Sequence, residues 1–450
     1  MQTGTVGVRC AGAVSAAAVT RARRAAAICL AAAAGLAGCS LLRPPPAPPA
    51  AAPVAPVAVE PPPAPLASAT HRFSFDPAHE DVVGVLQKTT ASAEDTLPDI
   101  ARRFNVGYEE IVRANPGVDP WLPGKDREII LPTRFVLPDA PRQGVIINVA
   151  AMRIYYYPKR AKGEPQVVVT HPIGIGKVGW QTPEGTTRIV ARVKDPVWVP
   201  PVSVRKEHLE NGDELPEKVP AGPDNPLGAY MFRLGWPSYL VHGTNKPYGV
   251  GMRSSHGCVR LYPEDIAILY ETVPIGTPVR VVNQPVLLGW DNDTLYVQAY
   301  GALEDDTRDW QHGPKSLLRK AGKSPLWQKV RARDRDVDWQ RARELSLQAR
   351  GVPVPVTRRS AATLTTVLAD APRVRNALPT GATWDGRTEL LVDERQYAEM
   401  IGQKEPTPPA PATPATPPKP PAPQVAPAAR PAAASTARSS AGRIPAASAN

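Results

Sequence analysis

Residues 241–261 read Val241-His242-Gly243-Thr244-Asn245-Lys246-Pro247-Tyr248-Gly249-Val250-Gly251-Met252-Arg253-Ser254-Ser255-His256-Gly257-Cys258-Val259-Arg260-Leu261, and this stretch governs how the rest of the chain is understood. It holds two of the seven histidines and one of the four cysteines. The thiolate is the reactive form of cysteine, and a nearby imidazole either takes the thiol proton or stabilises the anion, so Cys258 with one of the two histidines, His242 or His256, suffices as nucleophile and base. Gly257 lets main-chain amides approach a carbonyl, which makes the N–H groups of Gly257 and Cys258 candidates for an oxyanion hole. Arg253 and Arg260 add positive charge that favours a thiolate and an anionic ligand. His242, His256 and Cys258 are also metal-ligand types. A fourth ligand at recognisable spacing is missing and the arginines oppose a cation, so no metal is expected.

Outward from this stretch, short β-rich runs punctuated by glycine, proline and charged turns fill residues 144–283. Strands are expected at 145–149, 153–157, 166–170, 186–193 and 278–282. The run Tyr155-Tyr156-Tyr157 reads as strand packing. One short amphipathic helix opens at Pro263 and runs to Tyr270. The result is a mainly β core. Gly174, Gly176 and Gly179 formally match a dinucleotide fingerprint, but Trp180 and Pro183 follow where a helix is required, so a turn is expected and no cofactor. Residues 284–303 read as a β extension containing a hairpin around Asp291-Asn292-Asp293, and residues 304–404 as an accessory region without an assignable role.

The chain has 450 residues and 55 prolines, which concentrate in two stretches that cannot form a packed core. The net charge of +11 raises the question of nucleic acid, but no basic stripe interleaved with aromatics is present, and no nucleic-acid partner is expected. Arg21, Arg23 and Arg24 precede an apolar run at 25–34 that is too short to span a bilayer, the pattern of an export signal. The run ends in Leu36-Ala37-Gly38-Cys39, which resembles the lipobox of bacterial lipoproteins. That resemblance implies a signal over 1–38, a diacylated Cys39 anchoring the protein to a membrane, and, with Ser40 next, outer-membrane sorting in the periplasm. Cys10 and Cys29 leave with the signal, so Cys258 stands as a single thiol in an oxidising compartment, where cysteines are ordinarily paired.

Residues 39–80, rich in proline and alanine, are expected to be an extended tether, and the Pro/Ala-rich tail 405–450 to be disordered. Between tether and β core, residues 81–135 read as a small α+β module. An acid-Thr turn at Glu94-Asp95-Thr96 opens a helix with Leu97, Ile100, Ala101 and Phe104 at helical spacing, and a second helix runs from Tyr108 to Ala114. Asn115-Pro116-Gly117 ends it, ahead of a strand at Glu128-Ile129-Ile130-Leu131. This order resembles LysM modules, which implies binding to N-acetylglucosamine-containing glycan.

The 241–261 stretch resembles the active-site signature of the YkuD-type L,D-transpeptidase catalytic domain. Supporting resemblance lies in Ile173-Gly174-Ile175-Gly176-Lys177, Thr182-Pro183-Glu184-Gly185, Trp198-Val199-Pro200-Pro201 and Gly222-Pro223-Asp224-Asn225-Pro226-Leu227-Gly228, within a domain of residues 143–283. Arg260 stands where many members have asparagine, the form associated with the proteobacterial envelope branch. The resemblance implies a β-sandwich with the cysteine near a strand end, Cys258 as nucleophile and His242 as base, with the Gly243 carbonyl orienting the imidazole. It implies that His256, Gly257 and Ser255 shape the site and its oxyanion hole, although the sequence alone allows His256 to be the base. Arg260, Tyr230 and Trp236 are the implied contacts to the donor stem peptide of peptidoglycan.

The implied reaction is ping-pong. Cys258 attacks the carbonyl of the third stem residue, expels the terminal D-alanine, and passes the acyl group to an amine on another stem or on a wall-attached protein. Water as acceptor would make the enzyme an L,D-carboxypeptidase. The reading from a different class is a noncatalytic wall-binding lipoprotein, against which the presence of both Cys258 and His242 argues.

Overall fold

The computed structural model describes residues 71–308, 310, 314–315 and 324–388. The signal with Cys39, the tether up to residue 70 and the tail lie outside the described residues. Strand β1 (Arg72–Phe75) corrects the tether boundary: it pairs antiparallel with a strand of the main sheet, and Phe75 is buried. Phe73 and Phe75, two residues apart, fall on one side of the strand and give four residues of linker a reason to dock.

The module that follows begins with β2 (Val82–Gly84) and β3 (Gln87–Thr90). Helix α1 (Leu97–Arg103) starts from a reciprocal cap, in which the Asp99 amide donates to Thr96 Oγ1 and the Thr96 amide donates to the Asp99 carboxylate. Helix α2 (Tyr108–Ala114) ends at Asn115, whose side chain bonds the Ile111 carbonyl and both the carbonyl and amide of Ile130 at 2.7–2.9 Å. That residue ties the helix to β4 (Glu128–Leu131), which pairs with β3. Leu97, Ile100, Ala101 and Phe104 sit in the module's core, as the helical spacing predicts. Strand β5 (Arg134–Val136) returns to pair with β2.

The main sheet takes β6 (Gly144–Asn148), β7 (Arg153–Tyr157), β8 (Gln166–Pro172) and, after the short β9 (Ile175–Gly176), the long β10 (Gly185–Lys194). Helix α3 (Val202–Glu210) lies in the loop that leads to β11 (Tyr230–Leu234). Then come β12 (Leu240–His242), β13 (Arg253–Ser255), β14 (Val259–Arg260), helix α4 (Pro263–Thr272) and β15 (Pro278–Val282). The order is β1-β8-β7-β6-β15-β10-β11-β12-β14, a nine-stranded mixed sheet. Strand β10 joins the two halves of the sheet: Gly185–Arg188 pair with β15, and Ile189–Lys194 pair with β11, with a register shift between Ile189 and Ala191. Both halves and α4 contribute to one core, which includes Ile147, Ile154, Phe232, Val241, Val259 and Ile266.

Beyond the sheet, β16 (Val286–Asp291) and β17 (Thr294–Ala299) form the expected hairpin. The boundary read at residue 303 is not a structural one. Helices α5 (Pro325–Ala332) and α6 (Trp339–Gln348) share a core with that hairpin, and β18 (Val354–Pro355) pairs with β17. After α7 (Leu364–Ala369) the chain crosses to the βααβ module, where Val374 joins the core and its amide donates to the Lys88 carbonyl. Among the described residues no helix is long and apolar enough to cross a membrane.

Candidate active site

Strands β12 and β14 lie parallel and adjacent, with Val241 opposite Val259 and His242 opposite Arg260. Both valines enter the core, so alternation turns Leu240, His242, Cys258 and Arg260 to the opposite face. There they line a cavity of about 1110 Å³ together with Ser255 and His256. Its walls are largely aromatic and aliphatic, including Trp180, Trp198, Trp236 and Tyr239.

His242 is buried, and its Nδ1 lies 2.6 Å from the Gly243 carbonyl. A carbonyl only accepts, so Nδ1 carries the hydrogen and the Nε2 lone pair is free. Burial, then the charge of Arg260, pushes the imidazole pKa down to about 3 against the opposing Gly243 contact, so the ring is neutral. Cys258 is a half-buried free cysteine whose Sγ lies 3.7 Å from the Ser238 carbonyl. Burial raises its thiol pKa, while the backbone at Leu240 and the charge of Arg260 oppose the rise. At rest the cavity therefore holds a thiol and a neutral imidazole.

The turn carrying Cys258 is fixed from several sides. Ser255 Oγ donates to the Cys258 carbonyl at 2.6 Å, and Thr182 Oγ1 donates to the Gly257 carbonyl at 3.0 Å. Gly257 has φ +99°, and a Cβ there would stand 2.9 Å from the Tyr239 ring, so both conformation and space call for glycine. The Gly174 amide and carbonyl bond Arg260 main chain at 2.8 and 3.0 Å, which brings the 173–177 stretch against β14. On the other side, the loop between His242 and Cys258 rests on the βααβ module. The amides of Tyr108 and Glu109 donate to the carbonyls of Val250 and Gly251, each at 3.1 Å.

Arg260 lines the cavity, donates from Nη1 to Ser254 Oγ at 3.1 Å, and keeps a buried Nε with no partner among the described residues. Two expectations are corrected. Arg253 does not face the thiol: it donates to Asp305 at 2.7 Å and to the Gly176 carbonyl at 3.1 Å. Tyr230 is not on the cavity wall either. It lies on the core side of β11 with Phe232, its ring 4.7 Å from Tyr270, while Met231 and Arg233 face the cavity. Trp236 is on the wall, edge-on to Tyr239.

His256 has an unforeseen partner. Its Nε2 lies 2.8 Å from Glu207 Oε2 on α3, and its ring meets Trp180 edge-on at 4.9 Å. Glu207 also pairs with Lys177, and that bond first, with His256 second, holds its carboxyl down to about 2. A carboxylate only accepts, so His256 Nε2 carries a hydrogen toward Glu207 and Nδ1 is the ring nitrogen left with a lone pair. Nothing in Val202-Ser203-Val204-Arg205-Lys206-Glu207 marks this contact locally, because it joins residues 49 apart in the chain.

Fold and cavity together are those of a thiol-containing enzyme on a mainly β scaffold. Residues 142–281 match the YkuD model, the L,D-transpeptidase catalytic domain. The probable L,D-transpeptidase ErfK/SrfK of Salmonella typhimurium is 37% identical over 291 residues, covering 63% of this chain and 91% of its own. The probable L,D-transpeptidase YbiS of Escherichia coli is 40% identical over 226 residues, 49% of this chain and 72% of its own. A solved structure titled as the Ldtfm–avibactam carbamoyl enzyme is 20% identical over 35% of this chain and 55% of its own, at a TM-score of 0.25, too partial a likeness to argue from. The chain belongs to the YkuD L,D-transpeptidase family, and it is a transpeptidase of the cell wall.

Proposed function

We propose that Cys258 is the nucleophile and His242 the base of an acyl transfer on peptidoglycan stem peptides. The observation that carries this reading is the His242–Gly243 contact, which fixes the tautomer with Nε2 as acceptor on the cavity that Cys258 shares. The thiol proton passes to His242 Nε2 as sulfur attacks the carbonyl carbon of the third stem residue, which we take to be meso-diaminopimelate. The N–H groups of Gly257 and Cys258 are the proposed oxyanion donors. Collapse breaks the C–N bond, His242 returns the proton to the leaving D-alanine amine, and a thioester remains. An acceptor amine then attacks, losing its proton to His242, and sulfur leaves as the thiol.

Arg260 is the proposed anchor for a substrate carboxylate, supported by its unpartnered buried Nε. A bound carboxylate would also offset the charge that depresses His242, so donor binding strengthens the base. Trp236 is the proposed apolar contact. Ser255 and His256 hold the turn and the cavity wall.

The same proposal places the enzyme in the periplasm on a lipid anchor at Cys39, with the βααβ module as a LysM-like glycan binder and a second stem or a wall protein as acceptor. Incubating the purified protein with tetrapeptide muropeptides tests the chemistry. Release of D-alanine with formation of a cross-linked dimer supports transpeptidation, whereas release with only tripeptide product makes water the acceptor. No release contradicts the reading.

A further inference from the structure

Helix α3 borders the cavity but has little apolar reason to stay there. Of its nine residues only Val204 is buried, and Val202 and Leu209 are exposed. The loop that carries it is closed at its neck by main-chain bonds between Trp198 and Val219 and by the buried Asn225, whose Nδ2 donates to the carbonyls of Pro196, Val219 and Pro220. Those contacts fix where the loop begins and ends. They do not fix α3 against the site.

The link from α3 to the site is Glu207, with Oε2 on His256 Nε2 and Oε1 on Lys177. Both partners lie one residue beyond the paired strands β9 and β13 that lead into the cysteine turn: the Lys177 amide donates to the Ser255 carbonyl, and His256 lies two residues before Cys258. The acidic side chain therefore does two things at once. It fixes the His256 ring on the cavity wall, and it seats the Trp198–Val204 side of that wall opposite the cysteine.

Resting on the transpeptidase reading, the geometry points to Glu207 as a positioning residue for acyl transfer, one that orients His256 and closes the donor groove without touching the reacting atoms. It shapes the site for a peptide donor and leaves the intrinsic reactivity of the thiol alone. A small alkylating agent, which needs no groove, is indifferent to it. A tetrapeptide donor is not.

The test compares two reactions of Cys258 in the full chain: acylation by a tetrapeptide muropeptide, followed by D-alanine release, and alkylation by chloroacetamide. In Glu207→Ala, donor acylation falls roughly tenfold or more, the scale of a misplaced substrate, while alkylation stays within about threefold of the parent. Glu207→Gln recovers more than half of that loss, because its amide oxygen still accepts from His256 Nε2–H. Lys177→Met, which leaves the His256 contact in place, is hurt less than Glu207→Ala. The proposal is overturned by unchanged donor acylation in Glu207→Ala, by a parallel loss of alkylation, or by a glutamine variant no better than alanine. A parent protein that alkylates but is never acylated instead contradicts the transpeptidase reading itself.

Discussion

Arg153 Nε lies 2.8 Å from Glu110 Oε1, and both side chains are shut off from solvent, at 0% and 4% exposure. The pair joins β7 of the main sheet to α2 of the βααβ module, and Arg153 also donates to the Asn105 carbonyl at 2.8 Å. Nearby, Arg102 makes a bidentate contact with Glu264 on α4, and Asp265 receives Asn105 at 2.6 Å and meets His171 at 2.9 Å. A module linked this way is part of the enzyme's fold, whatever else it binds.

Removing one member of such a pair leaves a buried charge unmatched, which costs about 3–5 kcal/mol. Arg153→Met is expected to lose that amount of unfolding free energy in urea titration. The double variant Arg153→Met, Glu110→Leu is expected to recover much of it. A single variant within about 1 kcal/mol of the parent would show that the pair is weakly coupled.

Gly251 sits where the loop before Cys258 meets the module. Its φ is +86°, and a Cβ would lie 2.2 Å from the Tyr108 amide nitrogen. Gly251→Ala is therefore expected to cost about 1–3 kcal/mol in strain and to lower D-alanine release more than a surface glycine does. Gly117→Ala is the control, since its Cβ meets nothing within 4 Å although its φ of +80° is equally strained. Equal activity in the two variants would mean that the module contact does not support the loop.

His242 makes a pH prediction with a definite sign. Its folded pKa, about 3, lies below the 6.5 of an ordinary histidine, so between those values the unfolded chain binds the extra proton. The stabilising contribution is complete above pH 6.5 and is lost as pH falls toward 3. The urea midpoint of the parent should fall more steeply between pH 7 and 5 than that of His242→Gln. His71, also depressed by burial, titrates in both proteins and cancels in the difference.

Arg260 opposes the burial that raises the Cys258 pKa, and it also depresses His242. Arg260→Met is expected to move the pH–rate limb for Cys258 alkylation to higher pH. Donor acylation should fall further than alkylation at a fixed pH, through loss of the carboxylate anchor. A limb that moves to lower pH would contradict the electrostatic account.

Elements with a strong local pattern were legible from sequence: the capped helix at Thr96, the proline-initiated α4, and strands β6, β7, β8 and β15, whose apolar runs fill the core. The 241–261 stretch likewise disclosed the cavity's central residues. Long-range relationships were not legible. Four residues of β1 look like linker until β8 offers a partner, and the segment around Val374 finds its core some 270 residues upstream. Which face of β11 meets the cavity depends on its neighbours, so Tyr230 and Met231 could not be told apart. Glu207 was invisible for the same reason, since a helix with one buried side chain carries almost no periodic signal.

The most direct test of the central claim is intact-protein mass spectrometry after brief incubation with a tetrapeptide muropeptide. The expected adduct equals the donor less D-alanine, maps to the peptide containing Cys258, is absent in Cys258→Ala, and accumulates far more slowly in His242→Gln. D-Alanine release by Cys258→Ala, or full-rate adduct formation in His242→Gln, would contradict the assignment of nucleophile and base.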